Sequence, residues 1–97
     1  MARNVAKTAP EYAKVLFENE HVRVIELNWK NGLKIEKHSH PKYFAYAFTP
    51  LKYTSTSPNG KVQYRRMKRG EVQWYGAESH AVSSSRGKGR VLVIELK

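Results

Sequence analysis

Hydrophobic and polar residues alternate with a period of two along most of this chain, and few stretches hold a helical stripe for the ten or so residues a helix needs. Strands are therefore the expected elements. In residues 22–29, Val22, Val24, Glu26 and Asn28 share one parity and Arg23, Ile25, Leu27 and Trp29 the other, which predicts a strand with a largely buried face. Asn31-Gly32 tolerates positive φ and marks the next reversal. Tyr43-Phe44-Ala45-Tyr46-Ala47-Phe48 alternates large with small residues, as the inner face of a small barrel would, and Pro50 closes it. Ser57-Pro58-Asn59-Gly60 is the strongest hairpin signal, joining a strand over 52–56 to one over 62–67. Further strands are expected over 72–75, 79–83 and 90–96, with Gly76, Gly87 and Gly89 as breaks and 83–89 as a polar hairpin loop. About eight strands at hairpin spacing predict an all-β sandwich or barrel, which protects the edges a flat sheet would expose. Residues 13–97 read as one barrel domain and residues 1–12 as an N-terminal arm.

Composition narrows the chemistry. With 97 residues the chain has room for one compact domain, small enough to lean on a partner chain. It has no cysteine, which removes disulfides, thiolate metal sites and a cysteine nucleophile, so any metal must be held by nitrogen and oxygen. All eight acids are Glu, which removes Asp-rich calcium loops and leaves few carboxylates for two-acid chemistry. No apolar run approaches the length of a signal peptide or membrane span, so a cytoplasmic location is expected. The net charge of +10 is uneven: residues 1–50 carry 8 basic and 5 acidic groups, residues 51–97 carry 10 and 3. Residues 61–69 hold five cations and no acid. That stretch reads as a solvated face, with nucleic-acid binding as another reading that no recognition helix or stacking motif accompanies. Arg65 shares the parity of Gln63 and Met67, so it is expected to point into the barrel and pair with a carboxylate.

Histidine is then the residue type to follow. His38 and His40 stand two apart in an extended segment, so both imidazoles leave the same face at a spacing a metal ion can bridge. His80 stands on a later strand between Ser79 and Ala81-Val82, and a strand can return it to face the first pair. His21 reads as an exposed residue at a strand start. Gly32, His38-Ser39-His40-Pro41, the aromatic strand, Asn59-Gly60, Lys68-Arg69-Gly70-Glu71-Val72, Trp74, His80-Ala81-Val82 and the final Val91-Leu92-Val93-Ile94-Glu95 together resemble a small single-domain cupin, from about Val15 to Leu96.

The resemblance implies a jelly-roll barrel of the double-stranded β-helix type, and a divalent transition metal (Fe, Mn, Ni, Zn or Cu) on His38, His40 and His80. The Glu that the family places about four residues after the second histidine is replaced by Phe44. Glu78 is an alternative ligand. If Phe44 keeps the inward parity of that Glu, Tyr46 and Phe48 line the pocket with it, and Trp74 shares the parity of His80; the same rings could equally fill the core. Tyr46 is then the candidate catalytic group, orienting a substrate or donating a proton. Two functions are compatible with this: a metal-dependent enzyme acting on a small molecule, for which the basic surface would welcome an anion, or a non-catalytic ligand-binding or sensing cupin. A homodimer is expected, with Tyr12 to Phe17 adding to a partner's sheet.

Overall fold

The computed structural model describes residues 5–30, 32–83 and 88–97. Asn31 of the first expected turn, residues 84–87 of the polar loop and residues 1–4 of the arm lie outside the described residues. Among the described residues one helical turn, α1 (Val5–Thr8), precedes nine strands: β1 (Ala13–Glu18), β2 (Val22–Trp29), β3 (Lys34–His40), β4 (Tyr43–Ala47), β5 (Leu51–Thr56), β6 (Val62–Met67), β7 (Val72–Tyr75), β8 (Glu78–Ser83) and β9 (Gly89–Leu96). They form two antiparallel sheets, a five-stranded one in the order β1-β2-β9-β4-β7 and a four-stranded one in the order β3-β8-β5-β6. Residues 5–12 do more than form an arm: Val5 and Ala9 are buried in the core.

Local chemistry accounts for the elements. The β5–β6 hairpin closes at Gly60, whose φ of 85° is open to glycine at no steric cost, while Asn59 Oδ1 accepts from the Lys61 amide at 3.1 Å. β9 alternates as a strand covered on one face should, with Val91, Val93 and Glu95 buried between partly exposed Leu92 and Ile94. Across β9, Leu27 and Ala47 stand beside Val91, Ile25 and Ala45 beside Val93, and Arg23 and Tyr43 beside Glu95. The inner face of the larger sheet is thus apolar over most of its length and polar in the row Arg23–Glu95–Tyr43–Tyr75. The inner face of the smaller sheet divides the same way: Ile35, Leu51, Met67 and Val82 are apolar, whereas His38, His40, His80 and Ser55 are buried and polar.

β3 does not alternate strictly. Its pairing with β8 slips between Ile35 and His38, so Ile35 stands opposite Val82 and His38 opposite His80. Three residues on β3 therefore span two on β8, and this bulge turns both Ile35 and His38 inward, which a regular strand forbids at a spacing of three.

Candidate metal centre

His38, His40 and His80 come together inside the barrel, each at most 5% exposed. One ring nitrogen from each lies within 4.8 Å of the other two, and the ring centroids are 4.6–5.3 Å apart. The β3 bulge aims His38, regular alternation aims His40 two residues later, and the β3–β8 register sets His80 directly opposite His38.

Each ring is held by its Nδ1. His38 Nδ1 lies 2.8 Å from the Glu36 carbonyl, His40 Nδ1 lies 2.7 Å from Glu95 Oε2, and His80 Nδ1 lies 2.8 Å from Ser55 Oγ. A carbonyl and a carboxylate only accept, so Nδ1 of His38 and of His40 carries the proton, and the serine hydroxyl lets His80 take the same tautomer. The remaining lone pair on every ring is then on Nε2, the arrangement of a histidine metal ligand braced by an outer hydrogen bond. Burial also keeps His38 and His80 neutral, lowering the pKa of His38 to about 4 and that of His80 to about 3. Three pre-oriented imidazoles fit a divalent transition metal, and they leave coordination positions for water or a ligand.

Two carboxylates brace the trio without joining it. Glu95 is fully buried; besides His40 it accepts from Arg23 Nη1 at 3.0 Å, and Arg23 in turn reaches Glu18. Glu78, the alternative ligand, has both oxygens engaged instead: Arg65 Nη1 donates to Oε2 at 3.0 Å and Nη2 to Oε1 at 2.9 Å, and the Tyr43 hydroxyl donates to Oε2. Burial works against the Glu78 charge, but Arg65 and Tyr43 outweigh it and bring its pKa down to about 2. Tyr43, whose ring centroid is 4.5 Å from that of His40, has its phenol pushed far up by burial and by Glu78, so it stays a donor. Arg65 thus pairs with a carboxylate as expected, though not one placed to ligate a metal.

The aromatic pocket expected from parity is corrected. Tyr43, Ala45 and Ala47 face inward, so Phe44, Tyr46 and Phe48 stand on the outer face of the larger sheet. Two residues separate His40 from Tyr43, which opposes buried Glu95, and the small alanines leave room inside for side chains of the facing sheet. Tyr46 packs against Phe48 and has no part in the cavity, so its expected catalytic role is without a site. Trp74 packs against Phe44 on the same outer face and also borders a groove of about 410 Å³ shared with Ser55, Arg65, Tyr75, Glu78 and His80. His80 separates this mouth groove from an inner cavity of about 30 Å³, room for one or two water-sized atoms. Trp29 borders that cavity, and its indole Nε1 is the buried side-chain polar atom without a hydrogen-bond partner among the described residues. His21 is exposed, as expected. In the basic stretch 61–69, Arg65 turns its guanidinium to Glu78, and Tyr64, Arg65 and Arg66 together with Lys34 and Lys52 line an outer groove of about 840 Å³.

Acid should expose the cost of burying neutral histidines. The unfolded chain titrates His38 and His80 near pH 6.5, while the folded chain resists protonation down to about 4 and 3. The unfolded state therefore binds more protons between these limits, and stability falls as pH falls through them. At pH 4.5 the metal-free protein should have lost on the order of 4 kcal/mol relative to pH 7. Denaturant titrations at the two pH values check this, and equal midpoints would contradict the buried, neutral assignment.

No protein-family model matches the sequence, and no curated protein matches it either. Solved structures do. A cupin domain from Bordetella pertussis superposes with a TM-score of 0.80 at 23% identity, over 100% of this chain and 98% of that one. An RmlC-like cupin with a double-stranded β-helix fold from Methanocaldococcus jannaschii gives 0.67 at 14% identity, over 87% and 77%. Bacillus subtilis oxalate decarboxylase, described for its Mn(II) centres, gives 0.62 at 15% identity, over 88% of this chain and 24% of that much longer one. No helix among the described residues is long and apolar enough to cross a membrane. Two facing antiparallel sheets, with a three-histidine cluster between them, give this chain the double-stranded β-helix fold of these cupin structures.

Proposed function

We propose that this protein holds one divalent transition metal on His38, His40 and His80 and presents it to a small oxygen-bearing or anionic ligand at the mouth groove. The observation that carries the reading is that all three Nδ1 atoms are already engaged, so three neutral Nε2 lone pairs have no other partner assigned to them. Histidine-only sites accept zinc, iron, nickel, copper and manganese in varying degree. The Mn(II) centres of the oxalate decarboxylase, on a barrel of the same fold, add manganese as a metal to test. When bound, the ion supplies Lewis acidity and lowers the pKa of a coordinated water.

The chain's own residues restrict the size and chemistry of the ligand. The inner cavity admits a water or one small ligand atom, with Trp29 Nε1 at its border as a free donor, and any larger ligand must remain in the groove outside His80. A second reading, ligand holding without turnover, draws on the tying of Glu78 by Arg65 and Tyr43: among the described residues the mouth has no free carboxylate to act as a base. The test is metal content after reconstitution with Mn(II), Fe(II), Ni(II), Cu(II) or Zn(II) and desalting. Close to one equivalent per chain is expected for at least one ion. Less than a tenth of an equivalent for every ion would end the metal reading.

A further inference from the structure

Strand register lays a basic surface across the outer face of the smaller sheet. Lys34 stands beside Ser83, Ser83 beside Thr54, and Thr54 beside Tyr64, so one row crosses all four strands. Two residues further along β5 and β6, Lys52 stands beside Arg66 on the same face. The adjacent row of Ile35, Val82 and Ser55 is buried, which turns these side chains outward, away from the histidines. They line the outer groove of about 840 Å³.

Charge does not cancel there. The five strands of the larger sheet carry Lys14, Arg23 and Arg90 against Glu18, Glu26 and Glu95, and so are neutral within a chain of net charge +10. The four strands of the smaller sheet carry five basic and two acidic residues; of the two acids, Glu78 is tied to Arg65, which leaves Glu36. Glu71, in the turn beyond β6, is engaged by Gln73 and by the Lys68 amide. Lys61 and Lys68-Arg69 flank β6 and carry the positive charge past both of its ends. Tyr64 is the second feature. Its ring is 86% exposed and has Thr54 for its cross-strand neighbour, so it stands clear of any apolar cluster on a cationic face.

We infer that this face binds single-stranded nucleic acid, with phosphates on Lys34, Lys52 and Arg66 and a base stacked on Tyr64. Spacing favours a strand over a lone anion. With strands about 4.8 Å apart and residues about 3.4 Å apart, the Cα atoms of Lys34 and Lys52 lie about 12 Å from each other, so the cations follow a path instead of converging on one phosphate. Width favours a single strand over a duplex: four strands span about 14 Å between the outer two, too broad for a major groove of about 12 Å, whereas an open face admits splayed bases. The ring favours nucleic acid over an acidic peptide, because every base presents a π-face to it.

The test is fluorescence anisotropy with the full chain and a fluorescein-labelled 12-nucleotide oligo-dT. At 50 mM salt a Kd of about 1–100 μM is expected, and log affinity should fall against log salt with a slope of about −2, as three neutralised phosphates give on a single strand. Lys34→Glu and Arg66→Glu should each weaken binding at least about tenfold, and Tyr64→Ala about tenfold, while Tyr64→Phe stays within about twofold of wild type. Lys14→Glu makes the same change of charge at an exposed site on the larger sheet, and it too should stay within about twofold. All these positions are exposed, so circular dichroism should be unchanged throughout. No binding at 100 μM protein would overturn the inference, as would equal affinity for duplex DNA or polyglutamate. Wild-type affinity in Tyr64→Ala would reduce the face to bare charge, and a loss in Lys14→Glu equal to that in Lys34→Glu would reduce it to net charge; either result ends the proposal.

Discussion

Replacing Glu95 with alanine is expected to destabilise the protein by about 3–5 kcal/mol, a large part of what holds a domain of this size together. Glu95 sits in β9 where the alternation of Val91 and Val93 calls for a third apolar side chain, and it is fully buried. Its carboxylate is tolerated there because Arg23 donates to Oε1 at 3.0 Å and His40 to Oε2 at 2.7 Å. Removing it leaves Arg23 Nη1 and the His40 N–H without acceptors inside the barrel, while Arg23 keeps Glu18 as its partner through Nε and Nη2, and each unsatisfied buried donor costs about 1–3 kcal/mol. Two variants separate structure from positioning. Arg23→Met with Glu95→Leu removes both charges and should recover most of the lost stability, as apolar replacement of a buried pair commonly does. It does not restore an acceptor for His40, so metal affinity should stay at least 10-fold below wild type. Urea midpoints and metal titrations on the three proteins decide this. A loss under 1 kcal/mol for Glu95→Ala would show that the chain Arg23–Glu95–His40 is not a structural unit.

That buried carboxylate marks the limit of what is legible in the sequence. Strands β2, β6 and β9 and the Asn59-Gly60 hairpin can be read because alternation and turn chemistry act locally. The three histidines can be read because they recur in motifs, and β8 returns His80 opposite His38. β3 reads only as an extended segment. An inward face made of His38 and His40 looks polar, and the bulge after Ile35 breaks the period that a strand is recognised by. The facing of β4 is inverted for a related reason: alternation alone gives two faces without saying which is inside. The parity of the Glu that Phe44 replaces assigns Phe44, Tyr46 and Phe48 inward, whereas the register sets Tyr43 beside Glu95 and turns the alanines in. Tyr43 is missed with it. Its signal is only that it begins the strand three residues after His40, across Pro41-Lys42. Glu95 gives no signal at all, since a lone Glu in Val-Leu-Val-Ile-Glu-Leu reads as a solvent-facing position; its partner Arg23 lies 72 residues away in sequence.

His80→Ala is expected to reduce metal affinity at least 100-fold while the barrel stays folded. Two neutral imidazoles remain, and neither Glu95 nor Glu78 can take the third place, because each already has both carboxylate oxygens hydrogen-bonded. The fold should survive because the apolar core of Ile25, Leu27, Leu33, Ile35, Val91 and Val93 does not depend on the histidines. His80 also borders the mouth groove, so water can enter the space its ring leaves and satisfy Ser55 Oγ. The stability cost should therefore be about 1–3 kcal/mol, below that of a sealed cavity of the same size. Tyr46→Phe serves as the control: on the outer face, it should change neither metal content nor fold. Metal content and circular dichroism on the same samples separate the outcomes. Metal retained at one equivalent would mean that the trio is not the ligand set. Metal lost together with the β signal would mean that the ion is a structural staple, and the reading of an open, ligand-binding centre would fall with it.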